Sequence, residues 1–536
     1  MSCSKIFSGE LPELTYDILK YFKNDFSTLY SCILVNRLWC RLTIPLLWEN
    51  PFSNPPNVKY FFCSSETKKY NFIEIYLHNL NEDLNTKLNE YGIEDNLFPS
   101  NTLFNYPSFI KYLNTFEIKF STHEWYKNII KTLKPEKRCL IENDDFERLI
   151  QMSLFKLFIN NETNLNTFEI EIFYNLDYYL NDILLLILQN PNFIHNVKNL
   201  NLYICNSFSS GPNKNMIIKN NILKLINLHQ NLKVISLKAN DFFLYQSLLL
   251  TKDYNCSNTL NTITLYGVKF KRIINLDKIF DQLKVLESVH LIYCHPLNTS
   301  FIQQITNLNR PFKLKSLIIS EIIDESSFQL LLQKCGGYLE NFGSEFVIQN
   351  EQLFESIIKY CKNIKLLNLS KFEKFENRII YLLFNLIENL KQSLNYLTIK
   401  ITDWKNYIEY NSIVLQNLGQ ILPFKLEYLD LCLHIKLSDF EVFLKNSQDT
   451  FIKKLLIKNL EGQDILSCIK KYIMKKKRVK YLAIIDSFES TSDYGNYDYK
   501  ELVSLKDEVE EFKLYDIKVQ SHKSLMVSFP EFTRNY

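Results

Sequence analysis

The chain has 536 residues, of which 46% are apolar and 23% are charged, and its formal net charge is +3. This apolar fraction excludes a mainly disordered chain, and a net charge near zero argues against a general nucleic-acid binder, because binding to phosphate needs concentrated positive charge. At about 150 residues per domain, the length predicts three or four domains or one array of repeats.

The first patterned segment, residues 8–50, predicts three short helices. Pro12 and Glu13 are favoured in a first helical turn, because proline loses no hydrogen bond there and an acidic side chain complements the helix dipole. Asp25 to Ser27 indicates a turn before the second helix, and the third helix ends near Trp48. Helices this short bury little surface by themselves, so the segment is expected to need a partner.

This segment resembles the F-box, the adaptor-binding module of SCF-type cullin–RING ubiquitin ligases. The resemblance is carried by Leu11-Pro12, Glu13-Leu14, Ile18-Leu19, Leu29, Cys32, Val35-Asn36-Arg37, Trp39 and Leu47-Trp48. One departure is that Pro12 and Glu13 adjoin, whereas the family has a further residue between these positions. The resemblance implies that a Skp-type adaptor packs on side chains from this set: Leu11, Pro12, Leu14, Ile18, Leu29, Val35 and Trp39. The alternative is that some of them, Trp39 above all, only hold the three helices together.

Residues 51–150 predict a mostly helical spacer that also caps the first repeat. Pro51 to Pro56 indicates a stiff connector after the three helices. A capping element is expected here because an exposed terminal repeat would associate with other chains. The hexad Leu113–Ile118 is identical to Leu165–Ile170, and it either adds a strand to the array or lies outside it.

Residues 151–536 repeat a six-residue pattern, apolar-x-x-apolar-x-apolar, at a mean spacing of about 28.5 residues. Twelve copies begin at Leu165, Val197, Leu232, Leu260, Leu286, Leu314, Leu339, Ile364, Leu394, Leu426, Ile452 and Val479. Eleven are complete, and the Leu339 copy has Ser344 in place of the third apolar residue. Between them, apolar residues recur at helical spacing, as from Phe328 to Cys335, which predicts amphipathic helices. Each repeat is therefore a short strand, a turn and a returning helix. The repeats must stack with parallel strands, because neither piece can bury its apolar side alone.

The pattern resembles the leucine-rich repeat, L-x-x-L-x-L-x-x-N/C at 20–29 residues. Cys205, Asn240 and Cys294 fall at its ninth position, although simple burial in the core is the alternative for the cysteines. The resemblance implies an α/β solenoid of about 12 repeats, with parallel strands inside, helices outside and a carboxy-terminal cap. The hexad Phe512–Ile517 is expected either to form a terminal strand or to lie outside the sheet.

Alternate residues of each strand are expected to face the concave surface of the array, because side chains alternate between the two faces of a sheet. These positions mix polar, aromatic and charged side chains of both signs, which suits a protein or peptide partner better than a polyanion. Tyr203, Tyr266 and His290 are therefore the candidate substrate-binding residues. A solvated strand face without a ligand is the alternative.

No motif for catalysis, metal binding or cofactor binding is present. The 12 cysteines form no C-x-x-C pair, the eight histidines lack metal-ligand spacing, and only 10 glycines are available for phosphate loops. We therefore expect no catalytic residue, no metal and no cofactor. Neither a secretory leader nor an apolar run of about 18 residues is found, so we expect a cytoplasmic and/or nuclear protein without a membrane span. The basic run Lys475 to Arg478 is either a helix end or a nuclear address.

Together, the two resemblances imply a non-enzymatic substrate-recognition subunit of an SCF-type E3 ubiquitin ligase. The F-box-like segment would bind a Skp-type adaptor, and through it a cullin–RING ligase, while the repeats bind a protein substrate. The catalytic cysteine and the RING zinc would belong to other subunits. The alternative is a leucine-rich repeat scaffold for protein interactions, without a role in ubiquitin transfer.

Overall fold

The structure is a computed structural model. It describes residues 11–23, 25–53, 71–78, 82–91, 102–132, 143–172, 179–204, 212–239, 255–270, 274–320, 324–344, 351–370, 377–401, 408–460, 463–488 and 498–527. The chain divides into two compact units, Met1–Ala239 with Ser247–Leu260 and Asn240–Gln246 with Asn261–Tyr536. Strands alternate with helices in both units, which confirms the predicted α/β class.

The first unit runs from three short helices into parallel strands. Its helices and strands are α1 (Pro12–Lys20), α2 (Phe26–Ile33), α3 (Arg37–Leu47), α4 (Asn71–His78), α5 (Glu82–Glu90), β1 (Tyr112–Asn114), α6 (Thr115–Thr132), α7 (Asn143–Asn160), β2 (Thr167–Ile172), α8 (Leu180–Gln189), β3 (Asn199–Ile204), α9 (Pro212–Leu228) and β4 (Val234–Ala239). The strands β1 to β4 lie in sequence order, each parallel to the next. Where it is described, the predicted spacer is mostly helical, and β1 adds a strand before the first repeat.

Local caps explain where the three predicted helices begin. The Asp25 carboxylate accepts a hydrogen bond from Thr28 N–H at 3.0 Å, and Asn36 Oδ1 accepts one from Trp39 N–H at 2.9 Å. Both bonds satisfy amide groups that have no partner in the first turn of a helix. α1 begins at Pro12 instead, as the sequence predicted. The three helices enclose a small core of Leu19, Leu29, Cys32 and Leu46.

The two identical hexads adopt different structures. In the first copy the strand ends at Asn114, whose Oδ1 accepts hydrogen bonds from the N–H groups of Phe116 at 2.8 Å and Glu117 at 3.2 Å and so starts α6. In the second copy, β2 runs on to Ile172. β1 pairs with β2 nonetheless, in a register that offsets the two copies. The first hexad therefore extends the sheet only through its first two residues.

The second unit continues the strand–helix alternation. Its helices and strands are β5 (Thr262–Tyr266), α10 (Leu276–Gln282), β6 (Ser288–Ile292), α11 (Thr299–Thr306), β7 (Leu314–Ile319), α12 (Glu325–Cys335), β8 (Asn341–Ser344), α13 (Glu351–Tyr360), β9 (Leu366–Ser370), α14 (Asn377–Asn389), β10 (Tyr396–Lys400), α15 (Ile408–Ile421), β11 (Lys425–Leu433), α16 (Leu437–Asn446), β12 (Phe451–Leu460), α17 (Leu466–Ile469), β13 (Val479–Phe488), β14 (Asp498–Glu501), α18 (Lys506–Lys513), β15 (Lys518–Val519) and α19 (His522–Leu525). From β5 to β13 each strand is parallel to the next. β13 then pairs with β15 in parallel near its start and with β14 in antiparallel near its end.

The core of the second unit lies on one face of these strands. In β11, for example, the first, fourth and sixth residues of the hexad are Leu426, Leu429 and Leu431, and all three are fully buried. Each of the twelve predicted hexads contains or leads into a strand, so the predicted repeat of strand and helix is confirmed. This pattern places alternate side chains on the opposite face of the strands, which is the candidate binding face.

The last predicted hexad, Phe512–Ile517, is not a strand. α18 extends to Lys513, helped by Asp507 and Glu508 in its first turn, where acidic side chains complement the helix dipole. The terminal strand is the short β15, which begins one residue after the hexad ends.

Candidate protein-interaction surfaces

Exposed apolar side chains are concentrated on the three-helix segment. Of the 20 large apolar side chains that are exposed in the described part of the chain, six lie within residues 14–35 and are 41–90% exposed. We term these six the apolar face: Leu14, Tyr21, Phe26, Tyr30, Leu34 and Val35. Phe26, Tyr30 and Leu34 are four residues apart, so they line one side of α2 and its carboxy-terminal end.

The structure divides the predicted adaptor contacts between surface and interior. Five of them retain exposed surface: Leu11, Pro12, Leu14, Ile18 and Val35. Leu29 has none, because it lies in the core of the three helices, so it is not available to a partner. Trp39 packs against the same core and is half-buried, which is the interior role that the sequence left open.

Four residues of the apolar face were not identified from the sequence: Tyr21, Phe26, Tyr30 and Leu34. The family resemblance rests on other positions, several of which prove to be the core of the segment. Phe26, Tyr30 and Leu34 could have been found from the recurrence of large apolar residues every four positions along α2, away from the buried Leu29 and Cys32. Tyr21, at the end of α1, is not part of this recurrence.

A buried carboxylate attaches the three helices to the rest of the first unit. The Glu49 side chain is 8% exposed and pairs with Lys23 Nζ at 2.5 Å and with Lys111 Nζ at 2.9 Å. Its carbonyl oxygen accepts hydrogen bonds from the N–H groups of Lys111 and Tyr112, at the start of β1. Burial alone would raise the pKa of Glu49, but the two lysines outweigh burial and hold the pKa below its usual value.

Aromatic rings complete this attachment. Trp48 meets Tyr76 of α4 edge to face at 5.3 Å between ring centroids, and it lies 4.2 Å from the Tyr106 ring. Phe52 stacks on Tyr76 at 5.9 Å and meets Phe158 of α7 at 6.1 Å. The three helices are therefore packed against the rest of the first unit through several aromatic contacts. This packing holds the helices that carry the apolar face.

The strand face of the first unit carries polar side chains that are joined by hydrogen bonds. Tyr112 Oη donates to Glu169 Oε2 at 2.5 Å, and Asn201 Nδ2 donates to the same oxygen at 3.2 Å. Tyr203, a predicted substrate-binding residue, is half-buried two positions beyond Asn201, and Lys238 Nζ lies 5.5 Å from the centroid of its ring. Tyr203 keeps some exposed surface, and its role in substrate binding stays a prediction.

His290, a second predicted substrate-binding residue, is enclosed. It is 4% exposed, and its Nδ1 lies 2.8 Å from Ser316 Oγ on β7. Asn341 Nδ2 on β8 donates to the same hydroxyl at 2.8 Å, so the three side chains link neighbouring strands. Burial lowers the pKa of His290 to about 4, which keeps the ring neutral at pH 7. His290 is therefore a strand-linking residue with almost no surface to offer a ligand.

Tyr266, the third predicted substrate-binding residue, borders an apolar cluster on the strand face of the second unit. The cluster consists of Ile292, Ile318 and Leu366, which are 0–4% exposed. Tyr266 meets Tyr293 edge to face beside the cluster, at 5.5 Å between ring centroids. These positions belong to the face that the sequence predicts to be open to solvent. Besides Tyr266, Tyr293 and Tyr396, one residue from far along the chain, Val527, packs against the cluster.

Val527 belongs to the carboxy-terminal segment Gln520–Val527, here termed the terminal strap. Gln520 N–H donates to Leu482 O on β13 at 3.0 Å, and Val527 N–H donates to Tyr428 Oη on β11 at 3.4 Å. Val527 packs on the cluster that contains Ile318. The strap therefore turns back from the last strand and crosses the strand face.

Two further side chains hold the strap. Leu525 is buried in a second cluster, which consists of Leu525, Tyr428, Leu456 and Ala483. His522 Nε2 lies 3.4 Å from Asp430 Oδ1, and the Asp430 side chain is 1% exposed. The strap could not be predicted from the sequence, because two aliphatic residues in a short segment form no periodic pattern.

The basic run Lys475 to Arg478 ends in the protein interior. Arg478 is 7% exposed, and its guanidinium donates to the carbonyl oxygens of Leu444, Ser447 and Thr450. These carbonyls lie at and just after the end of α16, where backbone acceptors lack partners within the helix. Arg478 is therefore a capping residue, which agrees with the helix-end alternative.

The described cysteines are free thiols, and most of them are buried. Cys294 Sγ–H donates to Leu265 O at 3.2 Å, and burial raises the pKa of this thiol to about 12. Cys205 and Asn240, the other ninth-position residues, lie outside the described residues. Over the described ranges, no group of three His, Cys, Asp or Glu side chains could hold a metal ion. A helix with the length and apolarity to cross a membrane is likewise absent from those ranges.

No protein-family model and no curated protein matches this sequence. Among solved structures, the chain is similar to one titled "Crystal structure of Rad7 and Elc1 complex in yeast", with a TM-score of 0.32 and 13% sequence identity. The match covers 59% of this chain and 86% of that chain. A likeness of this size assigns no function, so the function has to be inferred from the residues themselves.

Proposed function

We propose that the chain is the substrate-recognition subunit of an SCF-type E3 ubiquitin ligase. In this proposal the three helices bind a Skp-type adaptor and the repeats bind a protein substrate. The observation that carries the proposal is the apolar face, with six large exposed side chains within residues 14–35. Exposed apolar side chains at this density mark interaction sites on folded proteins. The F-box resemblance of the same segment points to an adaptor as the partner.

The apolar face has the composition of an interface centre. Tyr21, Phe26 and Tyr30 belong to the aromatic types that are enriched in the buried parts of protein interfaces. Covering one such side chain fully would contribute about 1.5–3 kcal/mol through the burial of apolar surface. The three helices enclose only a small core, so a bound adaptor would also stabilise them.

The chain would contribute proximity to ubiquitin transfer. The cysteine that carries ubiquitin belongs to another subunit, and a receptor raises the local concentration of substrate lysines near it. The contacts of Glu49 and Trp48 suit this role, because they fix the three helices against the first strands. An adaptor on the apolar face would then stand at a set distance from the beginning of the repeats.

Capture of a purified Skp-type adaptor by the full chain tests the proposal. The variant Tyr30→Ser/Leu34→Ser should weaken capture at least tenfold, because it removes two side chains that are 65% and 73% exposed. The matched control is Tyr381→Ser/Leu514→Ser, which removes side chains that are 66% and 81% exposed in the second unit. Absence of capture by the unmutated chain, or equal loss in both variants, would contradict the proposal.

A reconstituted ligase separates the proposal from the scaffold alternative. With adaptor, cullin, RING subunit and charged conjugating enzyme, the proposal expects ubiquitin transfer to proteins that the repeats bind, or to the chain itself. The Tyr30→Ser/Leu34→Ser variant should lose this transfer. A scaffold would bind its partners and give no transfer in either form.

A further inference from the structure

The terminal strap lies on the strand face of the second unit and is bound there in the way that a peptide ligand is bound. After Val519 the described part of the strap forms no strand pairing beyond the Gln520 hydrogen bond to Leu482. It crosses the strands instead, and it is held mainly by side chains that enter clusters on the strand face. A segment held in this way depends on a few anchor side chains, as peptides in surface grooves do.

Two aliphatic anchors define two adjoining apolar subsites. Leu525 is 3% exposed in the cluster with Leu456 of β12 and Ala483 of β13. Val527 packs on the cluster of β6, β7 and β9 side chains that contains Ile318. Tyr396 borders both clusters, so the two subsites are contiguous.

A carboxylate defines the third, polar subsite. Asp430 is almost fully buried, with Lys400 Nζ at 3.3 Å and His522 Nε2 at 3.4 Å. Burial alone would raise the pKa of Asp430, but His522 and Lys400 outweigh burial and hold the pKa below its usual value. A buried anion is destabilising unless cations face it, so this subsite favours a basic group from the segment that lies over it.

We infer that this strand face is a peptide-binding site and that the terminal strap is its built-in competitor. The ligand class follows from the strap: a peptide segment with a basic side chain, followed by aliphatic side chains three and five residues later. The inference rests on the proposed function, since it names the class of substrate segment that the repeats receive.

Tethering sets how strongly the strap competes. The strap follows β15 directly, so its effective concentration at the site is on the order of 1 mM. A free peptide with an intrinsic dissociation constant of about 10 µM would therefore bind the intact chain roughly 100-fold more weakly than a chain whose strap is released. A substrate segment with a stronger cation or larger aliphatic contacts can displace the strap.

The test measures binding of a fluorescent peptide with the sequence of residues 519–527 to purified full-length variants by anisotropy. Two variants weaken the strap independently: Leu525→Ser/Val527→Ser removes the aliphatic anchors, and His522→Glu places an anion opposite Asp430. Both should bind the peptide at least tenfold more tightly than the unmutated chain. The matched control Val503→Ser/Leu514→Ser, at exposed residues outside the strap, should bind like the unmutated chain.

Changes in the peptide test the ligand chemistry without altering the protein. In the strap-weakened chain, a peptide with His522→Arg should bind at least threefold more tightly than the native sequence, because arginine pairs more strongly with a carboxylate. A peptide with His522→Glu should bind at least tenfold more weakly. The inference is overturned if folded strap variants bind the peptide no better than the unmutated chain, or if the Arg and Glu peptides bind equally.

This measurement stands apart from adaptor capture. It uses the chain without an adaptor, so a failure of adaptor capture would not affect the outcome of the peptide-binding experiment. Failure of the peptide to bind would likewise leave adaptor capture through the apolar face unaffected.

Discussion

Leu29 and Tyr30 are neighbours in α2, yet the first is fully buried and the second is 65% exposed. Leu29 belongs to the stripe that closes the small core, whereas Tyr30 belongs to the apolar face. Ile318 on β7 shows the converse case, because it lies on the candidate binding face and is nevertheless buried in a cluster against which Val527 of the strap packs. Function at the residue scale therefore depends on which apolar side chains the chain leaves uncovered.

Glu49 is the residue that links the three helices to β1, and its removal should weaken that link. Glu49→Gln removes both ion pairs. The lysine side chains in these pairs, Lys23 and Lys111, are 56% and 48% exposed. Because solvent screens such partners, we expect a loss of only about 1–2 kcal/mol in the free energy of unfolding. Urea unfolding measures this loss, and faster proteolysis of the three helices should accompany it.

The pH dependence of this loss identifies its cause. The pKa of Glu49 is lower in the folded chain than in the unfolded chain, so its ion pairs stabilise the fold above the ordinary carboxyl pKa of about 4.3. That stability is lost as the pH falls through the lowered pKa. The difference between Glu49→Gln and the unmutated chain should therefore vanish in acid, while the control Glu287→Gln, at an exposed residue outside any helix, should show little difference at any pH. A difference that persists in acid would contradict the ion-pair account.

At the scale of elements, the repeats depend on close contact between neighbouring helices. Gly419 lies within α15, and a Cβ at this position would stand 2.6 Å from the carbonyl oxygen of Phe443 in α16 and 3.0 Å from Asn446 Cβ. The first of these atoms belongs to the backbone, so it cannot move aside without shifting the helix. The glycine therefore sets how closely the two helices approach.

Gly419→Ala should consequently destabilise the second unit. This effect is opposite in sign to helix propensity, which favours alanine over glycine by about 1 kcal/mol. We expect the free energy of unfolding to fall by about 1–3 kcal/mol, the usual cost of overpacking. The control Gly337→Ala places its methyl group in open space and should not destabilise. Urea unfolding of both variants measures this change in the free energy of unfolding. A Gly419→Ala variant that is more stable than the unmutated chain would contradict the prediction and show that the two helices can separate.

The elements also show what the sequence can predict. The twelve hexads of the array predict strands well, because all but the Leu339 copy commit three apolar side chains to one face of the strand. The local pattern fails where one side chain decides between strand and helix. Asn114 accepts two backbone hydrogen bonds and so starts a helix within one copy of an identical hexad. The local pattern fails again at the strap, because Leu525 is buried and Val527 is partly buried against residues far earlier in the chain.

At the scale of the whole molecule, each unit carries one of the two proposed interaction surfaces. The first unit displays the apolar face on three packed helices, and the second unit carries the strand face that the strap covers. A receptor needs these two surfaces to bind different partners. The predicted substrate-binding residues differ between the units, since Tyr203 of the first unit keeps exposed surface while His290 of the second is enclosed.

Hydrogen exchange of the full chain, with and without a Skp-type adaptor, tests the central claim most directly. The adaptor should slow amide exchange in residues 11–35 at least tenfold, because a partner that covers the apolar face suppresses opening of the three helices. Exchange in β11 to β13 should not change. Unchanged exchange in residues 11–35, or slower exchange confined to the strands of the second unit, would contradict the account.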